Sequence, residues 1–230
     1  MSTELIIFGI AISLACLGIV ALFLKAFYDK KQLKALILKG IASACFVTLG
    51  AITCFCGEFS LPKLLIFIGL CFGIVGDEVI HLCQLFPKYD SLAFIGGGSF
   101  FLVGHFLYIP ALLLLGEVSV IAILIYFIVA ALISLVYEKY RHFLKGNMKI
   151  PLALYLGFVT LMGAVAFGAF VGRLTLGLGL FAVGGLLFTV SDNILFAFKL
   201  GERPKFLQNI LLHAAYYTAQ ILIAWSIAYL

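Results

Sequence analysis

Charged side chains are scarce in this sequence. Asp, Glu, Lys and Arg make up 11% of its 230 residues, whereas an ordinary soluble domain contains about 25%. A water-exposed surface needs roughly 25–35% charged residues to stay dispersed, so this shortage excludes a soluble globular protein. The apolar residues, which make up 65% of the chain, indicate that its solvent is largely lipid.

Several motifs are also missing. The sequence has no GxxxxGK[ST] phosphate loop, and its six cysteines show neither CxxC pairs nor zinc-finger spacing. We therefore expect no disulfide framework, and interpret the cysteines as small apolar packing residues. The net charge of +5 comes from short basic clusters between apolar runs, which favours membrane orientation over nucleic-acid binding.

The long apolar runs predict eight spanning helices, each near the roughly 20 residues that a bilayer requires. This predicts an all-α integral membrane bundle forming one domain over residues 1–230, with the N-terminal run as its first spanning helix rather than a cleaved signal. Continuous runs of this length are not typical of a transmembrane barrel. The predicted segments are Leu5–Leu24, Leu33–Cys56, Leu64–Phe86, Leu92–Leu115, Val118–Tyr137, Ile150–Val171, Leu174–Phe198 and Phe206–Leu230.

The basic residues predict the orientation. Most of the 15 Lys and Arg residues lie in the first, third, fifth and seventh connections, whereas the other connections contain only Lys63 and Arg173. The positive-inside rule then places the odd connections in the cytoplasm and both termini on the non-cytoplasmic side. The short loops and small size favour a bacterial inner membrane.

Ionisable residues occur inside the predicted helices, where each costs about 2.5–3.5 kcal/mol to insert and therefore needs a partner or a cavity. Helical spacing aligns many of them as polar stripes on segments 3 and 8, in the predicted cytoplasmic half. We expect a cavity open to one leaflet, which suits an enzyme that acts on a lipid better than a channel. The ionisable residues are Lys39, Asp77, Glu78, His81, His105, Asp192 and His213, accompanied by Gln84, Tyr108, Asn193, Asn209, Tyr216, Tyr217 and Gln220.

Two short patterns occur twice. Residues 75–80 (VGDEVI) resemble residues 190–195 (VSDNIL), and His105-x-x-Tyr108 resembles His213-x-x-Tyr216. A parallel four-plus-four duplication, related by an axis along the membrane normal, would produce both similarities.

These residues resemble those of the lysoplasmalogenase family, the YhhN-like multi-pass membrane proteins. The resemblance covers segments 3 to 8 and includes Lys39, although Gly40 stands where the family often has proline. It implies hydrolysis of the vinyl ether of lysoplasmalogens, with choline or ethanolamine head groups, to a fatty aldehyde and a glycerophospho-head group. The motifs are Gly76-Asp77, Phe94…Gly98…Phe101…Gly104-His105…Tyr108, Gly184-Gly185…Phe188…Ser191-Asp192…Leu195 and Tyr216-Tyr217-x-Ala219-Gln220-x-Leu222-Ile223.

The residues themselves suit this ether hydrolase chemistry. Protonation of the alkene gives an oxocarbenium ion, which glycosidases manage with one protonated and one ionised carboxyl group. Asp77 and Asp192 are the candidate catalytic pair, because desolvation and a neighbouring carboxylate keep one of two carboxyls protonated. Sequence leaves open which aspartate is the acid, and the mechanism requires no cofactor.

The supporting roles follow by position. Lys39 is the candidate for the lipid phosphate, and the remaining polar residues would orient water or the glycerol hydroxyl, or support the site. Apolar walls would hold the alkenyl chain of the lysophospholipid. The supporting candidates are His81, His105, Tyr108, Asn193, His213, Tyr216, Tyr217 and Gln220.

Two other functions compete with this prediction. Asp77, His81, His105, Asp192 and His213 are suitable ligand types for a zinc-dependent lipid hydrolase, although only Asp77 and His81 have ligand-like spacing and we predict no metal. Buried Asp and His chains also serve as relays in small lipid or proton-coupled transporters. A structural ion pair of an aspartate with Lys39 is the non-functional alternative. The oligomeric state does not follow from the sequence.

Overall fold

A computed structural model of the chain describes residues 3–141, 149–200 and 206–230. Within them the chain forms eight α-helices and no strand, which confirms the predicted all-α bundle. Short 3-10 turns at Pro87–Tyr89 and Ile227–Tyr229 precede α4 and follow α8. The helices are α1 (Thr3–Tyr28), α2 (Gln32–Phe55), α3 (Leu61–Leu85), α4 (Asp90–Leu114), α5 (Val120–Arg141), α6 (Lys149–Arg173), α7 (Leu176–Leu200) and α8 (Phe206–Ser226).

The helices have the length and composition of membrane spans. In the described residues seven of them are long and apolar enough to cross a membrane, and α5 contributes a shorter apolar stretch, Val120–Ile133. A 25-residue helix such as α3 is about 37 Å long, more than the roughly 30 Å of a bilayer core. Exposed Ile121, Ile125 and Leu132 on α5 need an apolar solvent, so the chain is a multi-pass membrane protein. Its bacterial location and orientation remain predictions, and several basic residues behind the orientation, including Lys145, Arg203 and Lys205, lie outside the described residues.

Glycine lets α3 and α4 pack with their backbones almost in contact. A Cβ atom at residue 97 would lie 2.4 Å from the Ile80 side chain and 2.8 Å from the carbonyl oxygen of Gly76. At residue 104 it would lie 3.0 Å from the carbonyl oxygen of Gly69. Close approach through small residues is a usual source of helix association in membranes. It also holds residue 77, which follows Gly76, at a defined depth against α4.

The described helices pack in a similar order in the two halves of the chain. The α3–α4 and α7–α8 pairs both have extensive contacts, and α2 packs on α3 as α6 packs on α7. Further, α4 packs on α6 in the way that α8 packs on α2. These are the neighbour pairs that a parallel four-plus-four repeat predicts. The halves differ at α1, which packs on α8 as well as on α2, whereas its counterpart α5 packs on α6 alone in the described part of the chain.

Two adjacent glycines provide a test of the α3–α4 contact. Gly97→Ala should destabilise the fold by about 1–3 kcal/mol, because the methyl group meets backbone atoms that cannot move aside. Gly98→Ala is the matched control, since its methyl group would meet only Tyr155, at 3.9 Å, and alanine favours a helix by about 1 kcal/mol over glycine. Thermal unfolding in detergent should therefore show a lower Tm for Gly97→Ala alone, and equal Tm values for both variants would contradict the packing described.

Candidate active site

A cavity of about 230 Å³ lies in the interior of the bundle. Helices α1, α2, α3, α4, α7 and α8 all contribute to its wall, and both candidate catalytic aspartates lie in it. It is lined by Phe23, Phe27, Lys39, Asp77, Ile80, His81, Cys83, Gln84, Phe94, Phe101, Ser191, Asp192, Leu195, Asn209, Leu212, His213 and Tyr216.

Asp77 forms a buried ion pair with Lys39. Its Oδ1 atom lies 3.0 Å from Nζ of Lys39, which also donates to the backbone carbonyl of Asp77 at 3.0 Å. Lys39 is 6% exposed and Asp77 is 3% exposed. Removing two charges from water is expensive, and only close pairing with further hydrogen bonds compensates for it. The ammonium of Lys39 is therefore committed to Asp77.

Two hydroxyl groups donate hydrogen bonds to the second carboxylate oxygen of Asp77. Ser43 on α2 donates to Oδ2 at 2.6 Å, and Tyr216 on α8 donates to the same atom at 2.8 Å. The Tyr217 hydroxyl lies 3.3 Å from that of Ser43. Charge-assisted hydrogen bonds of this kind are stronger than neutral ones and fix the carboxylate in place. Both oxygens of Asp77 thus face donors, the Lys39 ammonium at Oδ1 and two hydroxyl groups at Oδ2.

Gln220 supports this network from a position outside the cavity lining. Its side-chain nitrogen donates to the hydroxyl of Tyr216 at 2.9 Å. The same nitrogen lies 2.7 Å from where a Cβ atom at residue 73 would be, so Gly73 is the reason that α8 can bring Gln220 so close to α3. Hydrogen bonds from Gln220 to Tyr216 and from Tyr216 to Asp77 thus connect the polar stripe of α8 with that of α3.

Asp192 has different surroundings. It is 5% exposed, and Tyr155 on α6 donates to its Oδ2 atom at 2.8 Å. No cation forms an ion pair with it among the described side chains. Tyr155 packs against Phe196 and His105, with ring centroids 5.0 and 6.3 Å away. The carboxyl group of Asp192 thus lies in an aromatic environment, without the cation that faces Asp77.

Two histidines line the cavity beyond Asp77. His81 is 4% exposed, and the ring of Phe23 on α1 packs against it with centroids 5.8 Å apart. The same Phe23 ring lies 4.9 Å from the ring of His213, whose Nδ1 atom is 2.9 Å from the carbonyl oxygen of Asn209. Helix α1 therefore closes this part of the cavity with an aromatic ring shared between two imidazoles.

Other predicted site residues lie outside the cavity lining. His105 is buried and packs against Phe188, with ring centroids 4.7 Å apart and its Nδ1 atom 2.6 Å from the carbonyl oxygen of Phe101. The ring of Tyr108 fills the space beside Gly69. Tyr217 contacts the network through Ser43, through the backbone of Lys39 and through the ring of Tyr216, with ring centroids 5.0 Å apart.

Asn193 lies on a different face of α7 from Asp192, about 100° around the helix. There it lines an apolar groove of about 920 Å³ formed by residues of α5, α6 and α7 and by Leu222. Its side-chain nitrogen donates to the carbonyl oxygen of Thr189 one turn earlier, at 2.8 Å. None of the described residues that line the groove is acidic, basic or a histidine, so among them the groove lacks the acid–base groups of the smaller cavity.

Sequence reasoning missed Tyr155, Ser43 and the α1 residues Phe23 and Phe27. In an apolar helix a single tyrosine or serine does not stand out, and Phe23 and Phe27 are like any other aromatic residues in a spanning run. A near match in spacing was available for Tyr155, which precedes Asp192 by 37 residues, whereas Lys39 precedes Asp77 by 38. With the two aspartates aligned, the position of Lys39 corresponds to Leu154, so Tyr155 lies one residue away from it.

The donor set does not suggest a metal ion. In the described residues no group of three or more His, Cys, Asp or Glu side chains is placed to hold one. Of the five candidate ligands, Asp77 is paired with Lys39, and His105 lies outside the cavity lining.

The chain was compared with known families, curated proteins and solved structures. One family model, described as the YhhN family, matches residues 34–227. No curated protein and no solved structure gives a significant match. The matched region contains every residue of the cavity wall except Phe23 and Phe27, which α1 supplies.

The ion pair predicts a specific stability pattern. Lys39→Met should destabilise the protein by about 3–5 kcal/mol, because it leaves a buried carboxylate without its cation. Adding Asp77→Asn to Lys39→Met should restore much of this loss, because the uncompensated charge is then absent. Thermal unfolding of both variants in detergent measures the difference, and a double variant that is no more stable than the single one would contradict a buried ion pair.

Proposed function

The chain belongs to the YhhN family, which includes the lysoplasmalogenases, and on this basis we propose that it hydrolyses the vinyl ether bond of lysoplasmalogens. The observation that carries the proposal is the placement of two aspartates with unequal surroundings in one buried cavity. The products are a fatty aldehyde and a glycerophospho-alcohol. The reaction consumes one water molecule.

In the first step Asp192 acts as the general acid. Its Oδ2 atom accepts a hydrogen bond from Tyr155, which leaves Oδ1 to carry the proton. Transfer of this proton to the distal carbon of the alkene breaks the carbon–carbon π bond and leaves an oxocarbenium ion at the carbon bonded to oxygen. A positioned general acid contributes typically 10²–10⁴-fold, or about 3–5 kcal/mol.

In the second step Asp77 stabilises the cation and activates water. Its carboxylate is kept ionised by Lys39, Ser43 and Tyr216, so its charge is in place before the cation forms. Water adds to the cationic carbon and gives up a proton, and the hemiacetal that results collapses to the aldehyde and the alcohol. The proton released from water replaces the one that Asp192 donated.

The cavity has room for the polar end of the substrate. A volume of about 230 Å³ suits the glycerol unit and the reacting bond, but not a long hydrocarbon chain as well. The chain would therefore extend from the cavity between apolar side chains, where each buried methylene contributes about 0.8 kcal/mol. A membrane-embedded site lets the lipid enter without leaving the bilayer.

Asp77→Asn and Asp192→Asn test the two-carboxylate mechanism. Purified protein should release fatty aldehyde from an alkenyl lysophospholipid, and each variant should lower kcat by about 10²–10⁴-fold, the usual effect of losing an acid–base group. Ser99→Ala, on the exposed side of α4, serves as the control and should retain full turnover. Aldehyde release by both aspartate variants at the unaltered rate would overturn the mechanism.

Deuterium labelling tests the first step directly. In D₂O the fatty aldehyde should carry one deuterium on the carbon next to the carbonyl, because the alkene takes its new hydrogen from an exchangeable acid. Trapping the aldehyde by reduction as it forms prevents later exchange, and mass spectrometry then counts the label. An unlabelled product would exclude alkene protonation.

A further inference from the structure

The part of the cavity next to the C-terminal end of α3 contains polar groups that the proposed hydrolysis does not use. His81 and Gln84 come from α3, and Asn209 and His213 come from α8. His81 follows Asp77 by one helical turn, and Gln84 lies one further turn along the same side. The cavity therefore has two polar regions: the aspartate region, and this second one beside it.

His81 has an unused hydrogen-bonding atom in this region. Its side chain is 4% exposed, and its Nε2 atom is buried with no hydrogen-bond partner among the described residues. A buried polar atom left in this way costs free energy, and a native protein usually retains it for a ligand or a water molecule. The imidazole lines the cavity, so a bound molecule can reach it.

The surroundings hold the two imidazoles in place before any ligand binds. Phe23 packs against both rings, and Phe27 also packs against His81 with ring centroids 6.3 Å apart. Side chains already immobilised in this way lose little entropy on binding. The ring hydrogen of a neutral His213 faces the carbonyl oxygen of Asn209, so the donors available to an oxyanion in this region are the His81 ring and the primary amide of Gln84, which lines the same cavity.

The position of Lys39 argues that it is not the main phosphate ligand. The sequence predicts that Lys39 binds the lipid phosphate, but its ammonium contacts both the carboxylate and the carbonyl oxygen of Asp77. A phosphate that took this ammonium would leave the Asp77 carboxylate uncompensated. His81 has no such competing partner at Nε2.

Distance along the substrate matches distance along α3. Four residues separate Asp77 from His81, which corresponds to about 6 Å along a helix. In a lysoplasmalogen a three-carbon glycerol backbone separates the ether oxygen from the phosphate ester, and its extended length is similar. A substrate with its ether at the aspartates therefore brings its phosphate to the level of His81.

We propose that His81, with Gln84, binds the phosphodiester of the lysophospholipid head group. This inference rests on the proposed function, because it takes the ether bond to lie between the aspartates. His81 supplies its Nε2 hydrogen to a phosphate oxygen, and Phe23 and Phe27 orient the ring. These two phenylalanines come from α1, outside the region that the family model matches.

Binding of lipids that the protein cannot hydrolyse tests the head-group site. The probes are a saturated 1-O-alkyl-glycerophosphocholine and the matching 1-O-alkylglycerol, which lacks the phosphate; neither has a vinyl ether. We expect wild-type protein to prefer the phospholipid, and His81→Leu to weaken phospholipid binding by about ten- to a hundred-fold, the effect of one hydrogen bond to a charged group. Affinity for the alkylglycerol should stay the same, which also shows that the variant is folded.

Two controls sharpen the result. His105→Leu replaces a buried histidine outside the cavity lining and should leave the ratio of the two affinities unchanged. His81→Gln has an amide donor in place of the imidazole, so it should lower the preference for the phospholipid over the alkylglycerol less than His81→Leu does. If His81→Leu lowers the affinity for both probes equally, or for neither, the proposal is overturned. If millimolar inorganic phosphate displaces the phospholipid, the site is assigned to free phosphate instead.

The outcome is independent of turnover. If the protein distinguishes the two probes through His81 but releases no aldehyde, the head-group site is supported and the proposed hydrolysis is contradicted. If it releases aldehyde but does not distinguish the probes through His81, the hydrolysis is supported and the head-group site is contradicted.

Discussion

The ion pair between Lys39 and Asp77 is the constraint on which the rest of the site depends. Neither charge is stable alone at this depth in a membrane, so each requires the other at contact distance. Their contact joins α2 to α3, and the hydrogen bond from Tyr216 adds α8 to the same carboxylate. Three helices are thus positioned around one group, and the cavity opens beside it.

Glycine makes this geometry possible. The ion pair requires α3 at a fixed depth, and the close contact of Gly76 with Gly97 holds α3 on α4. Gly73 does the same for α8, because a larger residue would displace Gln220 and with it Tyr216. Close backbone packing and polar bonding therefore reinforce each other, since each needs the helix separation that the other sets.

The two halves of the bundle supply aspartates with opposite properties. α2 meets Asp77 with a lysine and a serine, whereas α6 meets Asp192 with a tyrosine inside an aromatic cluster. Similar helix packing thus gives the two carboxyl groups unlike partners, a cation for Asp77 and a phenol for Asp192. In the proposed hydrolysis this difference assigns one carboxyl group to the cation and the other to proton donation.

The sequence alone determined the membrane bundle, the eight helices and much of the polar cavity. Apolar runs of spanning length have few alternatives, and an ionisable residue inside one must face a partner or a cavity, so Asp77, Asp192, Lys39, His81 and His213 could be selected without a structure. The tertiary structure alone decided which polar residues meet. Helical spacing specifies the face of one helix but not the helix opposite it.

That limit explains what the sequence left undetermined. The phosphate role of Lys39 stays a prediction, and only the packed structure shows that α3 places Asp77 against its ammonium. Asn193 and Asp192 are adjacent in sequence, yet α7 turns them to different cavities. Tyr155 and Phe23 gave no sign of their roles, because a residue in an apolar run gains a role only from its neighbours across the bundle. Composition and periodicity are properties of one segment, whereas the pairing of charges is a property of segments packed together.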